Sequence, residues 1–290
     1  MISRVQALNY RCLRYVDQPL GAFHVLVGAN ATGKSSFLDV VGMLGDLLEH
    51  GVEGALLASD DLSRGRGRAS RWEELVFQQA ADRFELAVEL ALPKELQERM
   101  GNGGRRYARY EVAIGGVSGT SELAVLNETL WLCSGEVTRA PRGPQLNMFP
   151  QEPSPPDSIF RAPGRRHSPP GWRKLISKTE RGTNFLSETT GWNNVFKIGP
   201  RRLALASLPD DEERFPVGSW VRDSLMQRIH VLTLNSEVMR RPASPSLPRS
   251  FRPDGSNLPL VVRDLREKQQ TVFRDWLAHV RTVLGDITDI

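Results

Sequence analysis

Residues 28–35 read Gly28-Ala29-Asn30-Ala31-Thr32-Gly33-Lys34-Ser35, with Ser36 following. Two glycines, a lysine and a hydroxyl at this spacing form the G-x-x-x-x-G-K-[ST] pattern of a phosphate cradle. Glycine permits backbone conformations that a Cβ hinders, so successive N–H groups can point inward at phosphate oxygens. Lys34 supplies a mobile cation for the terminal phosphates of a nucleotide, and the Ser35 hydroxyl is placed to ligate Mg2+. The positive end of a helix opening here adds to the attraction. The competing reading is a chance glycine–lysine turn. Context decides against it, because an apolar run precedes the motif and an amphipathic segment follows it.

The elements that would position this cradle can be read from periodicity. Ser3–Leu8 and the apolar run Phe23–Val27 read as strands, and the helix runs from about Gly33 to His50. Phe37, Leu38, Val41, Leu44, Leu47 and Leu48 recur at three- and four-residue steps, and Gly51 is placed to end that helix. Phe84, Leu86, Val88, Leu90 and Leu92 alternate with Glu85, Ala87, Glu89 and Ala91, a half-buried strand. Tyr110, Val112 and Ile114 repeat the alternation, and Leu123–Leu132 follows, giving an antiparallel meander. The stretch from Arg139 to Pro170 is rich in proline, serine and arginine and reads as an exposed insertion. Order is expected to resume near Trp192, with a helix through Val221, Leu225 and Ile229, a buried strand over Ile229–Leu234, and helical structure from Val261 to Val283. The chain therefore divides into a cradle-bearing lobe with its meander (1–135), the insertion (136–191), and a continuation of the same fold (192–290).

Composition narrows the class. Hydrophobic residues make up 40% and charged residues 25%, which is ordinary for a globular protein of 290 residues. A net charge of +4 permits an anionic partner without demanding one. The two cysteines, Cys12 and Cys133, form no metal or disulfide pattern. No leader-like or membrane-spanning apolar run occurs, so a cytoplasmic, membrane-free setting is expected. His24, in the strand before the cradle, reads as a core residue. An Asn-Lys-x-Asp base-reading motif is absent from the sequence, which argues against a GTPase. A small-molecule kinase remains as a weaker alternative.

The segment "NYRCLRYVDQPLGAFHVLVGANATGKSSFLDVV" resembles the N-terminus of SMC/RecF-like ATPases, whose heads are of the ABC type. Asn9-Tyr10-Arg11 matches the turn between the first strands of that family, and Asn30, Lys34, Ser35 and Ser36 match its P-loop. "FRPDGSNLPLVVRDLRE", Phe251–Glu267, is similar to a D-G-x-N-L segment of the AAA/ABC-like branch found in prokaryotic OLD-type and anti-phage systems. The resemblance implies an α/β P-loop NTPase of ABC-ATPase-head type, with a mixed sheet and an antiparallel β meander. It implies ATP and Mg2+ as cofactors, held by Gly28–Ser36, with Ser35 on the metal. Arg11 becomes a nucleotide contact by the same resemblance, the alternative being an ordinary turn arginine. Gln78 and Gln79 stand where a metal-sensing glutamine could lie, the alternative being a solvated pair of amides.

The family cleaves ATP with an Asp-Glu pair at a strand end and a serine-containing signature. "LALASLPDDEE", Leu203–Glu213, has apolar residues before acids but Pro209 between them, and "LSETTG", Leu186–Gly191, lacks the signature's central glycine. Neither qualifies, so the catalytic residues are not identified. In the family both elements follow the D-G-x-N-L segment, so the chain is expected to be an N-terminal part or a natural split protein that hydrolyses poorly alone. The resemblance further implies ATP-driven head dimerisation acting on DNA or gating an effector, in DNA maintenance or anti-phage defence. A slow ATP-sensing regulator that sequesters a nuclease or toxin is the alternative. Two arginine clusters offer contacts to a nucleic-acid backbone. One comprises Arg64, Arg66, Arg68 and Arg71; the other Arg165, Arg166, Arg173 and Lys174, with Lys178 and Trp172 beside them. Solvated loops are the competing reading of both.

Overall fold

The computed structural model describes residues 1–57, 67–100, 104–117, 122–134, 155–161, 168, 170–179, 182–191 and 193–287. Its strands are β1 (Ile2–Tyr10), β2 (Leu13–Pro19), β3 (Arg83–Ala91), β4 (Arg105–Gly116), β5 (Leu123–Ser134), β6 (Trp172–Thr179), β7 (Gly182–Leu186) and β8 (Asn193–Phe196). The helices longer than one turn are α1 (Lys34–Leu56), α2 (Lys94–Arg99), α3 (Pro216–Gln227), α4 (Ser236–Met239), α5 (Leu258–Lys268) and α6 (Gln270–Val283). The chain forms two compact units, Met1–Ile229 and His230–Ile290.

In the first unit the strands make one sheet in the order β2-β1-β3-β4-β5-β6-β7-β8, and each neighbouring pair of strands is antiparallel. The meander over β3, β4 and β5 is as the alternation implies. Elsewhere the sheet departs from the mixed arrangement that the sequence led us to expect. The run Phe23–Val27 forms no strand, and its place beside β1 is taken by the short hairpin to β2, with Leu8 opposite Tyr15. The stretch read as an insertion supplies β6 and β7, so regular structure resumes at Trp172 rather than near Trp192. Gly51 does not end α1 either: its dihedrals leave the helical region (φ 71°) and the helix resumes to Leu56.

Period two sorts the side chains between the two faces of the sheet. Val5, Ala7, Phe84, Leu86, Val88, Tyr110 and Val112 share one buried cluster with Val40, Met43, Leu44, Leu47 and Leu48 of α1. Burying a side chain of this size contributes about 1.5–3 kcal/mol. The helix therefore lies on the sheet because its apolar stripe and the even-numbered face of β3 and β4 need each other. α3 crosses α1 closely, since a Cβ on Gly45 would sit 2.7 Å from the Leu225 carbonyl oxygen.

The opposite face is polar and also buried. Arg109 donates to Glu89 at 2.8 Å and to Glu111 at 2.6 Å, and the Trp131 indole donates to Glu111 at 3.0 Å. Residues 158–161 close over this network. Glu85 accepts from the Ser158 hydroxyl and the Ile159 N–H, both at 2.8 Å; Arg109 donates to the Ile159 carbonyl, and Glu111 accepts from the Arg161 N–H. Ile159 itself packs on Leu8 and Ala87. A proline-flanked segment of the insertion thus covers the charges.

In the second unit, Asn257 is fully buried at the start of α5. Its amide donates to the Pro248 and Ser250 carbonyls at 2.6 and 2.7 Å and its Oδ1 accepts from the Arg252 N–H. The asparagine of D-G-x-N-L is therefore a knot that ties its own loop. Ile229–Leu234, expected as a buried strand, forms no strand, and Val231–Leu234 are exposed. No helix among the described residues is long and apolar enough to cross a membrane.

Candidate nucleotide-phosphate site

The cradle residues lie between the exposed run and the first turn of α1. Gly33 takes φ 91°, and a Cβ there would meet Leu13 at 3.0 Å and Cys12 at 3.2 Å. A Cβ at Gly28 would approach the Thr32 hydroxyl to 3.0 Å. Gly33 is thus required by its left-handed backbone and close neighbours, whereas at Gly28 the exposed Thr32 side chain would have to give way; Ala31 also has a left-handed φ of 64°. The Lys34 ammonium folds back over the loop, donating to the Gly28 carbonyl at 2.7 Å and to the Ala29 carbonyl. Thr32 donates to Ala29 at 2.9 Å. The Lys34 ammonium also reaches the Thr32 hydroxyl at 3.4 Å. A cation held by oxygens of its own exposed loop is poised to exchange them for phosphate oxygens. Ser35 is exposed and available to a metal, whereas Ser36 is buried and accepts from the Cys12 thiol at 3.2 Å. The residues present therefore fit a nucleotide with its Mg2+. Among the described residues no group of three or more His, Cys, Asp or Glu side chains is placed to hold a metal ion.

Two further segments meet the cradle helix. The turn Asn9–Cys12 presses against its start, with Asn9 and Arg11 in left-handed conformations (φ 56° and 53°). Tyr10 donates to Asp39 at 2.6 Å, and Arg11 pairs with the same carboxylate at 2.9 Å. Burial, and then the Asp39 charge, push the Tyr10 phenol far above its ordinary range, so it stays a donor. Leu75 and Val76 lie beside this turn: the Arg11 N–H donates to Leu75 at 2.7 Å, and Val76 bridges Tyr10. Directly after them, Gln78 and Gln79 are both exposed and both left-handed, at φ 51° and 52°. Sequence spacing alone does not bring these glutamines beside the Arg11 turn; the fold does.

Several residues read from sequence have other surroundings. Arg68 is not a free loop cation. It is 9% exposed, pairs with Asp39 and Asp46 at 2.8 Å each, and donates to the Ala55 carbonyl. Arg173 donates to the Ser187 and Glu188 carbonyls, and the Lys174 ammonium lies 4.7 Å from the centre of the Trp131 ring. Lys178 is buried on carbonyls of residues 199–202. Of the named cations with described positions, Arg71 is exposed, at 74%. Arg64, Arg66, Arg165 and Arg166 lie outside the described residues. His24 is exposed rather than in a core, and accepts from the Gly21 N–H. Phe23 and Val27 are 83% and 88% exposed.

The two motifs set aside as catalytic have structural roles. Asp210 pairs with Arg222 and Asp211 with Arg214, in a surface turn. Glu188 of "LSETTG" is buried and accepts from the Val217 and Gly218 N–H groups at 2.6 and 2.8 Å, capping α3 from outside the helix. Burial raises its carboxyl to about 7 despite those bonds. Sequence reading missed this cap and the Asp39 cluster, since a capping partner 29 residues away leaves no local pattern.

No family model matches the chain. A stretch of 48 residues is 42% identical to the OLD nuclease of Thermus scotoductus (strain ATCC 700910 / SA-01), covering 16% of this chain and 9% of that protein. The likeness is local. The chain spans about a tenth of the length of that curated relative. Among solved structures, an SMC ATPase studied for ATP-driven dimerisation and DNA-stimulated activation aligns over 46% of this chain and 69% of its own. That alignment has 19% identity and a TM-score of 0.29, too loose to carry an argument.

Proposed function

We propose that the chain is the nucleotide-holding part of an SMC/RecF-like ATPase of the OLD-type branch. The observation that carries this reading is the cradle itself: a complete G-x-x-x-x-G-K-S at the N-terminus of a buried amphipathic helix, with its lysine held by oxygens of its own loop. Lys34 and the loop N–H groups bind the phosphates and Ser35 the Mg2+. Gln78 or Gln79 would be a further ligand to that metal, and Arg11 would pair with a phosphate. The bound metal would supply charge neutralisation on the phosphates. ATP binding then joins two such heads, and that closure acts on DNA or on an effector protein.

The same reading gives this chain little turnover by itself. The acids that came closest to a catalytic pair are occupied by Arg222 and Arg214. The run Phe23–Val27 exposes apolar side chains immediately before the cradle, and an apolar run of this kind is stable when paired within a sheet. We assign its partner to a strand of a second polypeptide, which would also bring acids for cleavage. This favours slow ATP sensing by the chain alone over rapid cycling. Titration with a fluorescent ATP analogue and Mg2+ tests the assignment. Wild-type chain should bind, and K34A should bind at least tenfold more weakly, as expected for loss of the principal phosphate cation. Equal binding by K34A would remove the basis of the proposal.

A further inference from the structure

Asp39 lies four residues after Ser35, hence about 6 Å along the helix on the same side. Its carboxylate collects three donors: Tyr10 Oη at 2.6 Å, Arg11 Nη1 at 2.9 Å and Arg68 Nε at 2.8 Å. Arg68 is clamped in turn by Asp46 and the Ala55 carbonyl, so its hold on Asp39 is rigid. Arg11 differs. Its side chain is 38% exposed, while its backbone is fixed in a left-handed turn by the bond to Leu75 and by the neighbouring Cys12–Ser36 contact. A guanidinium carries five N–H donors in a fixed fork, so one nitrogen can stay on Asp39 while others take an anion. Two guanidinium groups on one carboxylate also offset the repulsion that Asp39 would otherwise exert on a phosphate.

We propose that Asp39 is a positioning residue for triphosphate recognition: it aims Arg11 at the phosphate end of the nucleotide and is itself fixed by Arg68. The role rests on the nucleotide reading above. It makes Arg68 part of the nucleotide site rather than a contact for nucleic acid.

The test is equilibrium binding of ATP and of ADP, each with Mg2+, to the full chain as wild type, D39N, D39E, R11A, D39N/R11A and K34A, with thermal unfolding of each. D39N and R11A should each weaken ATP by roughly tenfold, the scale of one charge-assisted hydrogen bond, and ADP by much less. The double variant should be no worse than the poorer single, because both changes remove one interaction. D39E, which keeps the charge, should recover part of the ATP preference. Parallel loss of ATP and ADP with a lowered Tm would mark Asp39 as merely structural and overturn the proposal. Tighter binding of both nucleotides by D39N, or additive losses in the double variant, would overturn it too. If D39N fails to fold, R11A and D39E decide by the same ratio. K34A separates the two claims. Should it lose nucleotide while D39N and R11A keep the wild-type ATP-to-ADP ratio, only the role of Asp39 falls. Should K34A bind like wild type, the nucleotide reading falls and this role with it.

Discussion

Gln78 and Gln79 hold left-handed backbone conformations that cost a non-glycine residue about 1–2 kcal/mol each. Such strain persists where surrounding structure imposes it, often at a working site. Q78G and Q79G should therefore raise stability by about 1 kcal/mol each in urea unfolding, while weakening any metal-dependent nucleotide contact. Glu188 makes a prediction of the opposite kind. Its carboxyl rises from 4.5 to about 7 on folding, so between those values the folded chain keeps a proton that the unfolded chain has lost. Stability then falls as pH rises through that window, by about 3 kcal/mol at most for a shift of this size. E188Q should flatten the fall between pH 4.5 and 7, although buried Glu111 and Glu128, pushed up chiefly by burial, retain a slope of the same sign. Denaturant midpoints against pH would show it. At this scale the cradle was legible because its residues are contiguous. Arg68 was not: in sequence it is one arginine among Arg64, Arg66 and Arg71, and only the fold brings it to Asp39 and Asp46.

Among the elements, β3, β4 and β5 were legible because strict alternation survives wherever one face is greasier than the other. The polar face concealed more. Glu85, Glu89, Arg109 and Glu111 read as solvent-facing, yet residues 158–161 bury them, and nothing local in a Pro/Ser/Arg-rich stretch announces that contact. β6 was missed for a related reason: WRKLISKT carries cations on a strand whose partner β5 shifts register beside Trp131. The energetics of this face can be tested. R109A strands two buried carboxylates and should cost about 3–5 kcal/mol, whereas replacing Arg109, Glu89 and Glu111 together by apolar residues should cost far less. Chemical denaturation of both variants measures the difference. If R109A is as stable as wild type, the covering by residues 158–161 is not what keeps the network dry.

At the scale of the whole molecule, the run Phe23–Val27 illustrates what a single sequence withholds. Its apolar pattern identifies a strand, but a strand exists only with a partner, and the described residues provide none for it. F23K and V27K should therefore leave the unfolding free energy of this chain within about 0.5 kcal/mol of wild type, as for other exposed positions. A cost well above that in urea unfolding would mean that the run is buried against the chain itself. The central claim is that this chain holds a triphosphate and does not cut it alone. Its most direct measurement follows the fate of radiolabelled ATP, with Mg2+, bound to purified residues 1–290 under single-turnover conditions, with K34A alongside. The account predicts ATP retained by the wild type, absent from K34A, and recovered intact over many minutes. Rapid conversion to ADP and phosphate by the wild-type chain, abolished in K34A, would contradict it.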